Sequence, residues 1–311
     1  MGKTLSPQVR GILFALLTFL CFGMTNFLLG YISEKASDPR KANLIAPILV
    51  WLGMGLLAVI FLSILRISGR RPGGFTSRRD TLLAVLAGMV LALSMISLKI
   101  GFMMDPSAKG PITAIASSSA VIVALMARLL LKESLSSLQW AGILITLGGI
   151  SIMALSSGGS DHALRGIFFG AITLLGFGFT NTILKVIGTH GMNSITAALV
   201  IWLTAGICGL AGLGLLQSLH FSITDLNPAP LRIISIAAGF FLGVGMWSLK
   251  RGVTVGRAGP VVAVAGANAL LVVFLDYLFF GNLVNVLKLA GMATAIGGIM
   301  ILALFANRIR E

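Results

Sequence analysis

Ten stretches without a single Asp, Glu, Lys or Arg divide this 311-residue sequence: 11–32, 43–65, 81–98, 110–127, 134–160, 166–184, 191–219, 233–249, 258–275 and 289–307. A bilayer core about 30 Å thick needs roughly 20 helical residues at about 1.5 Å rise each. All ten stretches come close to that length. Lipid offers the backbone no hydrogen bonds, so each is expected to be helical. Membrane-spanning strands would be about ten residues long and alternate apolar with polar side chains, a pattern missing here. Only 10% of residues are charged and mean hydropathy is +1.02, whereas a soluble domain carries about 25% charged residues. The expected fold class is therefore an all-α integral membrane protein with ten transmembrane helices. The first stretch is too long for the core of a signal peptide and no small-residue cleavage site follows it, so it is expected to remain as the first helix.

The formal charge of +14 reads as membrane topology. With the amino terminus in the cytoplasm, fifteen Lys and Arg fall on the inner side and seven on the outer side, with Lys99 inside a span. The positive-inside rule then places both termini in the cytoplasm of an inner or plasma membrane. No basic run is interleaved with aromatics, so no nucleic-acid partner is expected. Cys21 and Cys208 fall within spans and read as small buried apolar groups.

The sequence also repeats itself. Residues 10–32 (RGILFALLTFLCFGMTNFLLGYI) align without gaps on 165–187 (RGIFFGAITLLGFGFTNTILKVI), with 12 of 23 positions identical. Trp51 recurs as Trp202, Ser97-Leu98-Lys99 as Ser248-Leu249-Lys250, Gly110-Pro111 as Gly259-Pro260, and Gly148-Gly149-Ile150 as Gly297-Gly298-Ile299. Two units follow, 1–158 and 159–311, each with five predicted spans. An odd number of spans makes the second unit enter the membrane inverted. Inverted repeats are a recurring basis for alternating access, with a solute site near the midplane between the repeats.

These features resemble the drug/metabolite transporter superfamily, in its EamA-like branch. The resemblance rests on the five-plus-five repeat and on two related segments. One runs from Gly110-Pro111 through Leu130-Leu131-Lys132-Glu133 to Gln139-Trp140-Ala141-Gly142 and Gly148-Gly149. The other runs from Gly259-Pro260 to Gly291 and Gly297-Gly298. It implies a carrier of small metabolites, without selecting among amino acids, sugars, nucleotide derivatives, drugs and lipid-linked sugars. The Lys132-Glu133 pair is not duplicated, since Gly281-Asn282 stand at the equivalent place. The membrane-embedded helix-1 glutamate of small four-helix relatives has no counterpart in 11–32.

Several polar residues within the spans admit a functional and a structural reading. Thr25-Asn26 and Thr180-Asn181 are repeat equivalents on either side of the midplane. They either contact a polar solute or tie helices together. Asn268 and its repeat partner Ser119, beside Ser117 and Ser118, form a cavity wall or a close helix contact. Trp51 and Trp202 suit a cavity wall, a membrane interface or plain packing. Lys99 and Lys250 either snorkel to the interface or attract an anionic solute group. Asp276 is a coupling carboxylate, a partner for a cation, or an interfacial acid. Gly142 with Gly149, and Gly291 with Gly298, place small residues on one helix face for packing, within the chain or in a homodimer. His162, His190 and His220 lie in or near loops without metal-ligand spacing. No metal, cofactor or enzymatic activity is expected. The expected function is transport of a small solute across the membrane by alternating access, export favoured. A flippase for lipid-linked sugars is the alternative.

Overall fold

In a computed structural model, the structure describes residues 6–69, 73, 77–105, 108–131, 135–155, 161–255, 261 and 264–304. Eleven helices are named in chain order: α1 Pro7–Lys35, α2 Pro39–Ile67, α3 Arg78–Met104, α4 Lys109–Ser117, α5 Ser119–Leu131, α6 Ser137–Leu155, α7 Asp161–Thr189, α8 Ser194–Ser218, α9 Pro230–Val255, α10 Ala269–Phe280 and α11 Val286–Leu304. A 3-10 turn, Ile223–Asp225, joins α8 to α9. Among the described residues no strand occurs.

The chain is an all-α membrane protein. Among the described residues seven helical stretches are long and apolar enough to cross a bilayer, α4 and α5 together forming one of them. Three shorter apolar helices, Ser137–Met153, Val264–Phe280 and Val286–Ile301, complete the set among the described residues. The surface is apolar where a soluble protein would be charged. Leu93, Leu144 and Ile207 are 64%, 65% and 65% exposed, which is the face a lipid solvent requires.

Helix starts follow local chemistry. Ser6 accepts from the Val9 N–H ahead of Pro7, and Asp38 accepts from the Arg40 and Lys41 N–H groups ahead of Pro39. Proline suits a first turn, where its missing N–H would have no helical partner. At the other end of a helix, Gly281 closes α10 at φ 68°, its N–H donating to Tyr277 O at 2.9 Å. That left-handed position favours a residue without a Cβ.

Packing joins early helices to late ones. α1 lies along α9, α3 along α7, α2 along α8, and α6 along α11. The glycine face of α6 meets that of α11 within one chain: a Cβ at Gly149 would lie 2.6 Å from Gly291 O, and one at Gly298 would lie 2.7 Å from Gly142 O. This stripe therefore joins two parts of a single chain.

The hydrogen bonds between helices recur at the repeat spacing. Thr18 Oγ1 donates to Gly245 O at 3.4 Å, and Thr173 Oγ1 to Ser94 O at 3.4 Å. Ser248 Oγ donates to Phe14 O at 2.8 Å, and Ser97 Oγ to Phe169 O at 2.8 Å. Thr25 Oγ1 donates to Ala238 O at 3.2 Å, and Thr180 Oγ1 to Ala87 O at 3.3 Å. Each pair exchanges the two repeats. A hydroxyl shared between its own helix and a neighbour's carbonyl is an economical tie in lipid.

Candidate functional site

Two helices break beside polar side chains inside the bundle. Between α4 and α5, Ser118 donates its N–H to both Ala114 O and Ile115 O, and Val121 N–H bonds back only three residues, to Ser118 O at 2.9 Å. Before α10, Asn268 N–H reaches Ala265 O at 3.3 Å, and Leu271 N–H reaches Asn268 O at 3.1 Å. Three-residue spacing within an α-helix is the tighter 3-10 form, which marks hinges and strained segments. The two breaks fall at repeat-equivalent positions.

Amides fill both breaks, buried at the break before α10 and half-buried at the break between α4 and α5. Asn26 Nδ2 donates to Asn268 Oδ1 at 3.1 Å, and Asn268 Nδ2 donates to Ser117 Oγ and to Ala265 O, each at 2.9 Å. Asn181 Nδ2 donates to Ser119 Oγ at 3.5 Å. The long helices α1 and α7 each hold one amide against the break of the other repeat. An unpaired amide in hydrocarbon costs several kcal/mol, roughly 2–7, so these contacts fix the register of the helices. Asn268 spends both N–H groups and its carbonyl on the protein.

The sequence-predicted residues divide accordingly. Asn26, Asn268 and Ser117 come together, and Asn181 joins Ser119. Thr25 and Thr180 instead bond backbone carbonyls, their own at Cys21 in the case of Thr25 and a neighbour's in both. Ser118 Oγ bonds back to Ala114 O at 2.8 Å. These three hydroxyls serve the helices. Trp51 and Trp202 are 5% and 3% exposed, so neither stands at an interface. Both indole N–H groups are buried without a hydrogen-bond partner among the described residues.

Lys99 does not snorkel. Its side chain is wholly buried, and Nζ donates to Leu29 O and to Ser33 Oγ, the latter at 2.5 Å. Lys250 behaves differently: Nζ is buried with no hydrogen-bond partner among the described residues. It lines a small cavity with Leu184, Ala198, Ile201, Trp202 and Met246.

Asp276 belongs to a cluster that the sequence did not reveal. Lys109, one of the seven Lys and Arg that the positive-inside rule assigns to the outer side, is 0% exposed at its side chain. Its ammonium pairs with Glu34 and lies 2.9 Å from Asp276 Oδ1. Asn282 Nδ2 bridges Glu34 Oε1 and Asp276 Oδ2 at 3.2 Å each. The Lys109 ammonium also sits 4.6 Å from the centre of the Phe280 ring. Of the available readings, Asp276 is thus the partner of a cation. Nearby, Lys288 Nζ lies 3.4 Å from Asp105 Oδ2. Gly30 on α1 leaves room for the Lys109 stem: a Cβ there would stand 2.6 Å from Lys109 Cδ.

Lys132-Glu133 and Gly259-Pro260 lie outside the described residues. Among the described residues no three of His, Cys, Asp and Glu gather where they could hold a metal ion.

No family model and no curated protein matches the chain. The chain is similar in structure to a protein solved by crystallography, with a TM-score of 0.65 at 14% identity, covering 97% of this chain and 99% of the other. At that identity the likeness extends to the fold alone: another protein arranges nearly its whole length as this chain does.

Proposed function

We propose that this chain carries small polar or amphipathic metabolites across a cell membrane, by alternating access between two inverted five-helix repeats, 1–158 and 159–311, as in the EamA-like drug/metabolite transporters it resembles. Counted with the three shorter apolar helices, and with the two broken helices as single spans, the chain makes ten passes. Both termini then lie in the cytoplasm, and export is the favoured direction.

The observation that carries this reading is the exchange of hydrogen bonds between repeats. Thr18 with Gly245 answers Thr173 with Ser94; Asn26 with Asn268 answers Asn181 with Ser119. Two halves with interchangeable contacts support two conformations of similar energy, one open to each side. The substrate enters by favouring one of them or the passage between them. The broken helices supply the hinges, Asn26 and Asn181 the polar contacts, and Asn268 with Ser117 the tie that positions Asn26.

Reconstitution into liposomes and counterflow of labelled amino acids, sugars and drugs tests the activity. Saturable movement of at least one class is expected; none above empty liposomes would refute the carrier reading. Topology is tested in a C21A/C208A background carrying Ser37→Cys or Thr189→Cys. An impermeant maleimide should label position 37 from outside and position 189 only after permeabilisation.

A lipid-linked substrate is the second reading. It is favoured by one feature, a groove of about 530 Å³ that opens between α1 and α9 and is lined by Leu17, Cys21, Ile233, Phe240, Phe241 and Val244. A photoactivatable polyprenyl phosphate should crosslink to α1 or α9 if that reading holds.

A further inference from the structure

Lys99 and Lys250 occupy the same place in the two repeats and live in opposite circumstances. The Lys99 ammonium is satisfied by Leu29 O and Ser33 Oγ. Continuing the ungapped alignment, the residues equivalent to Leu29 and Ser33 are Leu184 and Gly188. Leu184 does line the cavity beside Lys250. Gly188, however, has no hydroxyl, and nothing stands within 4 Å of where its Cβ would be. The hydroxyl, one of the two acceptors that Lys99 uses, has been removed from the Lys250 side by the sequence, and its place is open.

What remains around Lys250 is a set of donors. Its ammonium and the Trp202 indole N–H are both buried without partners among the described residues, and both residues line one cavity. The other lining residues are Leu184, Ala198, Ile201 and Met246, which offer apolar side chains and no acid. The neighbouring charged side chains in sequence, Arg251 and Lys185, are cations. The unpartnered indole is common to both repeats, since Trp51 shares it. The unpartnered ammonium is confined to one. Buried polar groups in native proteins find partners, and a buried charge most of all. Two buried donors on residues that line one cavity, neither with an acceptor among the described residues, call for a ligand that brings the acceptor and the negative charge.

We infer that Lys250 and Trp202 form a subsite that receives the carboxylate of an apolar-bodied substrate, entering from the end of the bundle opposite Lys99. The cavity, at about 10 Å³, admits one oxygen-sized group, about the minimum for a single water. A carboxylate oxygen fits this space, and the rest of the molecule then lies outside it, beyond the apolar side chains of Leu184, Ile201 and Met246 that wall it. The inference rests on the carrier reading and narrows its substrate class to carboxylates with an apolar body.

N-acetyl-leucine and N-acetyl-leucinamide are suitable probes, alike in shape and differing in charge. Thermal unfolding of the purified full-length protein in detergent reads binding without transport; proteoliposome uptake reads transport. The wild type should be stabilised by the carboxylate and little by the amide. Lys250→Gln should weaken the carboxylate response at least tenfold, equivalent to about 1.4 kcal/mol, and leave the amide response unchanged. Lys250→Arg should keep the preference. Gly188→Ser, which restores the hydroxyl that Ser33 supplies to Lys99, should weaken carboxylate binding by competing for Lys250. A wild type that responds equally to both probes, or a Lys250→Gln variant that loses both responses alike, overturns the subsite. If carboxylate binding behaves as expected while no solute of the wider panel moves, the subsite stands and the carrier reading falls.

Discussion

Asp276 and Lys109 lie 167 positions apart in the chain and 2.9 Å apart at Oδ1 and Nζ. Glu34 completes the group, so one buried ammonium is shared by two carboxylates and is fastened from α1 to α10 through the start of α4. Removing one member of a buried ion pair leaves the other uncompensated, at a cost of about 3–5 kcal/mol. Lys109→Met strands two acids, whereas Asp276→Asn leaves Lys109 paired with Glu34. The first should lower the melting temperature in detergent by clearly more than the second, and the double variant Lys109→Met/Asp276→Leu should recover part of the loss. Equal effects of the two single changes would show that the cluster is not organised around Lys109.

The contact from Asn26 to Asn268 is shorter than its repeat counterpart, 3.1 Å against 3.5 Å from Asn181 to Ser119. A double-mutant cycle with Asn26→Ala and Asn268→Ala should give a coupling energy of about 1–2 kcal/mol, since each single change leaves a buried amide unsatisfied. The cycle with Asn181→Ala and Ser119→Ala should give less than half of that. Chemical denaturation in mixed micelles measures both, and a larger coupling for the second cycle would contradict the distances.

The two repeat-equivalent lysines should respond in opposite directions to the same change. Lys99→Met abandons the acceptors Leu29 O and Ser33 Oγ and should destabilise the protein by about 1–3 kcal/mol. Lys250→Met removes a buried ammonium that has no hydrogen-bond partner among the described residues and should raise the melting temperature. Such a gain at a candidate binding position is the usual exchange of stability for function. Melting curves of the two variants decide it, and destabilisation by both would mean that Lys250 has a partner in the folded protein.

Much of this architecture is legible in the sequence because lipid leaves few choices. A run of about 20 apolar residues must satisfy its own backbone, so the helices follow from charge-free length. The ungapped match of 10–32 with 165–187 marks Asn26 and Asn181 as equivalent before any coordinates, and the structure gives both a partner at a helix break. The breaks themselves are not legible. Ser117-Ser118-Ser119 and Gly266-Ala267-Asn268 announce small and polar residues, but helical propensity does not say where a ladder changes from four-residue to three-residue spacing. Lys109 shows the deeper limit. A lysine beside Gly110-Pro111 looks like a connector charge, and its burial depends on acids 75 and 167 positions away. Periodicity carries no information about contacts at such separations. Lys99 is a similar case: span-end position suggested snorkelling, and the acceptors on α1 that hold it inside belong to another element.

The paired glycines of α6 and α11 make the sharpest test of the packing. In each Gly-Gly pair one member is open and the other is closed in. Nothing stands within 4 Å of a Cβ built at Gly148 or Gly297, while one at Gly149 meets Ala295 N at 2.4 Å and one at Gly298 meets Thr146 N at 2.5 Å. Backbone cannot step aside as a side-chain tip can. Gly148→Ala and Gly297→Ala should therefore be neutral or stabilising by up to about 1 kcal/mol, the gain in helix propensity over glycine. Gly149→Ala and Gly298→Ala should each destabilise by about 1–3 kcal/mol, as overpacking of a tight contact does. The four variants differ by one methyl group each and need only melting curves in one detergent. If adjacent positions gave the same sign, α6 and α11 would not meet through the faces described.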